Sequence, residues 1–325
     1  MRIAVIDDWQ GVARNSADWS ALANRAEIVF FEEPFRDTDH FATSLQPFEV
    51  VVLMRERTHL PGSLINRLPN LRMIGVTGSR IWTLDLDACT ARGIVVSHTG
   101  GTYSTAATAE LTLGLMLAAT RRIPAADSNI RDRRFQGGVS PGFVLEGRTL
   151  GIIGLGKIGT KMARYGQAIG MKLLAWSPNM TAERAQAVGA QFVDKLTLLE
   201  QSDVVTLHLV LSDRTRGLLG AEDLAHMKPN AILVNSSRGP LVDEQALIDA
   251  LSQKRIIAAL DVYGQEPLPH DHPLRSLSNT VLTPHLGYCT TEVYGQFYRE
   301  SVENVQAFLD GKPVRLLNPD VVARR

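Results

Sequence analysis

Short apolar runs rich in Val, Ile and Leu alternate with segments of helical period along almost the whole chain. The early runs are RIAVI from Arg2, EIVFF from Glu27, VVVLM from Val50, LRMIGV from Leu71 and GIVVS from Gly93. Between them GSLINRL and LDACTAR read as helices. Alternating strand and helix signals of this kind predict βα units on a mostly parallel sheet. The rhythm changes near Ser104. There STAATAELTLGLMLAATRRI predicts a long helix starting from a Ser/Thr-rich cap, apolar nearly all round and therefore buried between layers. A polar loop, RFQGGVSPGFVLEGR, follows, and a second βα series opens at TLGIIGLG. Its predicted strands are TLGIIG, KLLAWS, DVVTLHL, AILVNS, IIAALDV and TVLTPH. The helices between them include KIGTKMARYGQAI, with Ala163 and Gly166 small enough to lie close on the sheet, and DEQALIDALSQ. From Thr290 the pattern predicts one terminal helix capped at Gly311, with Val293, Phe297, Ser301 and Val305 on its packing face.

Length turns this pattern into a domain count. At roughly 100–200 residues per domain, 325 residues make two domains. The 34 basic and 34 acidic residues balance and form no basic stripe, which argues against nucleic acid as a partner. Cys89 and Cys289 lie far apart with no CxxC, so neither a disulfide framework nor a zinc site is expected. The start reads as a strand and not as a leader, and LTLGLMLAA is too short to span a bilayer. The expectation is a cytoplasmic globular protein with no membrane partner and no metal.

Gly154, Gly156 and Gly159 form G-x-G-x-x-G directly after a predicted strand and at the start of a predicted helix. In that setting the first glycine permits a tight turn and the second lets a pyrophosphate approach the backbone. The third lets the helix sit close on the strand. The anion then meets free N–H groups at the helix N-terminus, those of Lys157 and Ile158 among them. The next strand of such a site normally closes on an acid that accepts from the adenosine ribose. Here it closes on Ser177, followed by Pro178 and Asn179, and the nearest Arg downstream is Arg184. A carboxylate would repel the extra phosphate of NADP, whereas a hydroxyl and an amide do not. The cofactor is thus NADP(H) or NAD(H), with a lean to NADP(H).

Ligands of open α/β sheets sit beyond the carboxyl ends of the strands. Three later strands end in polar groups: Arg238 before Gly239, Asp261 with Glu266 five residues on, and His285. An Arg forks onto a carboxylate, a His moves protons near neutral pH, and an adjacent Glu favours the imidazolium. Of the other histidines, His208 lies in an apolar run and reads as a sheet histidine near the nucleotide. His270 and His272 sit in a polar loop without ligand spacing for metal.

Taken together, GLGKIG, NSSRGPLVDE, LDVYGQEP and TPHLG resemble, in order and spacing, the D-isomer-specific 2-hydroxyacid dehydrogenases. RMIGVTGSRIWTLDLDACTARGIVVSHTGG and the following ATAE resemble the same family's first-domain and hinge signatures. The resemblance implies two doubly wound α/β domains, a Rossmann dinucleotide-binding domain inserted into a flavodoxin-like substrate domain. Residues 1–99 with 288–325 would form the substrate domain and residues 100–287 the nucleotide domain. It implies Arg238 on the substrate carboxylate and carbonyl, His285 as acid/base, Glu266 as its partner and Asp261 on the nicotinamide carboxamide. Thr108, Thr215 and Ser237 would lie near the cofactor. The turn Gly78–Ser79–Arg80 would offer backbone N–H groups to the substrate. A homodimer acting on a small 2-oxoacid or D-2-hydroxyacid, of the glyoxylate or hydroxypyruvate type, is implied. The alternatives are a nucleotide-sensing corepressor-like binding protein and a formate- or phosphite-type dehydrogenase. This sequence departs from the family at Ser177, at QKRIIAALDV, which lacks the usual glycines, and at the bulky Arg80 and Trp82.

Overall fold

A computed structural model describes residues 1–79 and 81–323. The chain divides into two compact units, Met1–Tyr103 with Thr290–Arg325, and Ser104–Cys289.

The first unit holds five strands: β1 (Arg2–Val5), β2 (Glu27–Phe30), β3 (Val50–Leu53), β4 (Met73–Val76) and β5 (Val95–His98). They pair in parallel in the order β2-β1-β3-β4-β5. Every residue of β3 and β4 is buried, which is why both read as unbroken apolar runs. The sheet order is the flavodoxin-like one, and it reverses direction between β1 and β3. The helix Thr291–Leu309 belongs to this unit and buries Phe297 and Tyr298 almost completely. Thr290 caps its N-terminus by accepting from Val293 N–H, and Gly311 adopts φ +75° just past its end. That helix is not the last element, contrary to expectation. The chain turns and runs antiparallel beside β5, with His98 N–H donating to Arg315 O (2.8 Å) and Leu317 N–H to Val96 O (2.8 Å). A short helix, Asp320–Ala323, follows.

The second unit holds β6 (Thr149–Ile153), β7 (Lys172–Trp176), β8 (Gln191–Phe192), β9 (Val204–Leu207), β10 (Ile232–Asn235), β11 (Ile257–Leu260) and β12 (Thr280–Leu282). They form one parallel sheet ordered β12-β11-β10-β9-β6-β7-β8. This is the Rossmann order extended by one strand, and its switch point lies between β6 and β9. Two apolar layers cover it. One contains Met116, Met162 and Ala163, the other Leu198, Leu224 and Leu251. A Cβ at Gly166 would come within 2.9 Å of Leu150 and Leu173, so the helix Lys157–Ala168 lies as close to the sheet as its small residues predict. The helix Ser104–Arg121 buries Ala107, Thr112, Leu115 and Ala119 but exposes Glu110, Gly114, Leu117 and Arg121 along one line. It is therefore covered on one side only, not all round. The helix Ile123–Arg131 and the two-residue β8 have no counterpart in the sequence pattern. Among the described residues no helix is long and apolar enough to cross a membrane.

Candidate active site

The switch point of the second unit is built around the three glycines. Gly154 turns at φ +102°, and a Cβ there would stand 2.8 Å from the His208 carbonyl oxygen. A Cβ at Gly159 would collide with the Gly154 carbonyl, so only glycine lets the helix start this close to the strand. Nothing lies within 4 Å of a Cβ placed on Gly156, and no side chain caps the helix Lys157–Ala168. The loop thus leaves open space in front of the N–H groups of Lys157 and Ile158, as an anion cradle requires. His208 beneath it bonds Thr206 Oγ1 through Nε2 (2.9 Å), and burial pushes its pKa down to about 3, so it is neutral.

Arg238, Glu266 and His285 come together beyond β10, β11 and β12. His285 has φ +56°, and its N–H donates to the Asp261 carbonyl (2.9 Å). Its Nδ1 lies 2.5 Å from Glu266 Oε2, and both side chains are about three-quarters buried. Glu266 Oε1 also accepts from Tyr263 N–H (3.0 Å). Burial pulls the Glu266 pKa upward. Hydrogen bonds from His285 and Tyr263 and the charges of His285 and Arg238 outweigh it and hold the carboxyl below its ordinary range. With Nδ1 committed to Glu266, Nε2 is the ring nitrogen that has no partner among the described residues.

Arg238 is placed by its neighbours. Asn235 Nδ2 donates to the Arg238 carbonyl (2.9 Å), and Asn235 Oδ1 accepts from Ser237 N–H (3.0 Å). Arg238 Nη1 donates to Ser237 O (2.7 Å). A Cβ at Gly239 would collide with the Tyr263 main chain. That contact brings the loop after β10 against the loop carrying Glu266. Sequence reasoning missed a second bracket on this loop: Glu244 accepts from Gly264 N–H (3.2 Å) and lies 3.3 Å from His272 Nε2. The separation of 28 positions between Glu244 and His272 hides the pair from any local pattern.

Other expected contacts are used inside the protein. Asp261 is fully buried and accepts from Thr283 Oγ1 (2.6 Å), Leu286 N–H (2.7 Å) and Gly287 N–H (2.8 Å). Burial raises its pKa against the opposing pull of these bonds. Its carboxylate therefore fixes the loop that presents His285. Thr108 packs against Gly287 and donates to Ser104 O (2.8 Å). Thr215 Oγ1 donates to Val210 O (2.7 Å) and accepts from Ser212 N–H (2.8 Å), while Ser237 Oγ donates to Leu207 O (2.7 Å). Both hydroxyls brace loops at the strand ends. Ser177 Oγ has no partner among the described residues.

In the first unit, Gly78 turns at φ +89°, but its N–H already donates to Thr99 Oγ1 (2.7 Å). That contact occupies the Gly78 amide, and Ser79, the next residue of the turn, is exposed. Arg80 lies outside the described residues. At the β1/β3 switch point, buried Asp7 accepts from Thr58 Oγ1 (2.8 Å), and Arg57 Nη1 donates to the Asp7 carbonyl (2.6 Å). The Arg57 guanidinium lies 4.5 Å over the Trp9 ring. Burial pushes the Asp7 pKa up to about 6, against the Thr58 bond and the Arg57 charge. A carboxyl raised in this way contributes stability that is complete below its unfolded pKa of 3.8 and is lost as pH rises through about 6. Asp7→Asn should accordingly gain on the wild type by up to about 3 kcal/mol between pH 4 and pH 8. Melting curves of both proteins across that range check it, and a gap that does not change with pH would refute it.

The sheet order and the glycine cradle define a Rossmann-type nucleotide-binding unit. The model of the D-isomer specific 2-hydroxyacid dehydrogenase NAD binding domain matches residues 113–287. A glyoxylate reductase of Aeropyrum pernix is 40% identical over 81% of this chain and 81% of its own. A D-3-phosphoglycerate dehydrogenase of Archaeoglobus fulgidus is 38% identical over 81% of this chain and 50% of its own. The crystal structure of a phosphoglycerate oxidoreductase from Vibrio cholerae superposes with a TM-score of 0.90 at 38% identity, covering 95% of this chain and 99% of that one. The chain belongs to the D-isomer specific 2-hydroxyacid dehydrogenase family. It spans about half the length of the D-3-phosphoglycerate dehydrogenases it matches.

Proposed function

We propose that the protein is an NAD(P)-linked dehydrogenase that interconverts a small 2-oxoacid and its D-2-hydroxyacid, with glyoxylate and hydroxypyruvate as the first candidates. The unit Ser104–Cys289 would bind the dinucleotide. The observation that carries this reading is the 2.5 Å His285–Glu266 pair beside Arg238, on the same sheet edge as the glycine cradle. The open space over Gly156 fits a pyrophosphate. When bound, the nicotinamide supplies or accepts the hydride at C2 of the substrate.

The side chains do the rest. Arg238 takes the substrate carboxylate and stabilises negative charge growing on the carbonyl oxygen. His285 Nε2 gives a proton to that oxygen in reduction and takes it from the hydroxyl in oxidation. Ionised Glu266 favours the imidazolium and fixes the ring. Asp261 holds the main chain of His285, and its remaining lone-pair site would serve the carboxamide. NADP(H) is the favoured cofactor, because nothing acidic stands at the end of β7.

Purified protein should oxidise NADPH or NADH in the presence of glyoxylate, hydroxypyruvate or a related 2-oxoacid. No turnover across a broad 2-oxoacid panel with both cofactors would favour a nucleotide-sensing binding protein instead. The same preparation should behave as a homodimer of 35.6-kDa chains, held through exposed apolar residues such as Leu117, Ile130 and Phe135; a monomer mass in solution would remove that part of the reading.

A further inference from the structure

We propose that Arg184, together with the Ser177 hydroxyl, forms the subsite that receives the 2′-phosphate of NADP(H). The inference rests on the dinucleotide reading above and deepens it by assigning a residue that the strand-end pattern alone does not reach.

The chain leaves β7 at Ser177 and turns, with Met180 N–H donating to Ser177 O (3.0 Å). Thr181 then caps the short helix Ala182–Gln186 by accepting from Arg184 N–H (3.4 Å). The Arg184 side chain turns back from that helix. Nη1 lies 3.5 Å from Asn179 O and Nη2 lies 3.4 Å from Leu155 O. Leu155 is the residue between Gly154 and Gly156 in the cradle. The guanidinium therefore reaches from the end of β7 to the cradle loop, the place where the adenosine ribose of a bound dinucleotide lies.

Its partners there are unusual for an arginine. Both are main-chain carbonyls at the long end of hydrogen-bonding range, and a guanidinium has five donors to satisfy. Among the described residues no carboxylate pairs with it. The neighbouring acid, Glu183, is engaged at the start of its own helix by Thr181. The Ser177 hydroxyl and the Asn179 amide likewise have no partner among the described residues. The segment from Ser177 to Arg184 thus carries a planar cation, a hydroxyl and an amide, all able to donate. An acid at position 177 would repel a phosphate. Serine does not, and the planar fork of Arg184 fits a phosphate as well as a carboxylate.

Calorimetric titration with adenosine 2′,5′-bisphosphate and with 5′-AMP isolates the 2′-phosphate without any turnover. The wild type should bind the bisphosphate about 10-fold or more tightly than 5′-AMP. Arg184→Gln should bring the two affinities together while leaving that for 5′-AMP unchanged, and Arg184→Lys should keep part of the difference. Ser177→Asp should abolish the difference by repulsion. A difference that survives Arg184→Gln at full size would overturn the assignment and leave NADP(H) preference standing. Equal affinities in the wild type would overturn both. Loss of 5′-AMP binding in Arg184→Gln would also count against it, since the residue would then serve the whole adenosine site. No binding of either nucleotide to the wild type would remove the dinucleotide reading itself.

Discussion

His285→Ala should lower kcat for 2-oxoacid reduction by about 10²-fold or more, the scale of lost acid catalysis, while nucleotide binding stays intact. The expectation follows from how the residue is held. Its backbone adopts φ +56°, fixed by donation to the Asp261 carbonyl, and Asp261 in turn anchors Leu286 and Gly287. The imidazole is oriented by Glu266 at 2.5 Å, which leaves Nε2 as the nitrogen without a partner among the described residues. Removing the ring would remove the proposed proton donor but none of the bonds that Asp261 makes to the loop, because those come from main-chain groups and Thr283. Steady-state rates of wild type and variant at saturating cofactor check it, with fluorescence titration of the nucleotide alongside. An unchanged kcat would take His285 out of the reaction.

Arg238→Lys should reduce kcat/KM for glyoxylate by about 10²-fold, although the charge is kept. A lysine ammonium is a point charge on a flexible stem. It cannot present two parallel donors to a carboxylate while facing the carbonyl oxygen. The local structure holds the Arg238 main chain and one end of its guanidinium: Asn235 bonds Ser237 N–H and Arg238 O, Ser237 O accepts from Nη1, and Gly239 admits the close approach of Tyr263. The loss should be shared between binding and rate. A change of less than about twofold would show that Arg238 supplies charge alone.

Much of the fold is legible in the sequence. Strands such as β3 and β10 are buried on both faces, so they are apolar without interruption and stand out from the helices around them. Arg238 lies just past the buried β10, Glu266 in the loop after the buried β11 and His285 after the partly buried β12, and parallel sheets bring strand ends together. The failures have equally local causes. β8 is two exposed residues and carries no apolar signal. The helix Ile123–Arg131 begins from Arg122 in a left-handed conformation directly after another helix, so the pattern offers no clear break. The Gly78 N–H could not be seen to be taken, because Thr99 lies 21 residues away on the far side of β5. Arg184 and Leu155 are 29 residues apart, and only the return of the chain along β7 places them together. What the sequence hides is the long-range hydrogen bond, in which neither partner's own neighbourhood reveals the other.

The division of the chain also bears on the order in which it folds during synthesis. The unit Ser104–Cys289 is one continuous stretch, and every strand of its sheet has been made before the helix Thr291–Leu309 appears. The first unit is split. Its five strands are synthesised first, yet Phe297 and Tyr298, among the largest fully buried side chains, arrive nearly two hundred residues later. On a ribosome the inner segment can therefore close its core while the outer one waits with an incomplete apolar face. Nascent chains arrested before Thr291 hold one complete sheet and one unit still lacking its helix, and these are the lengths at which a chaperone has most to cover.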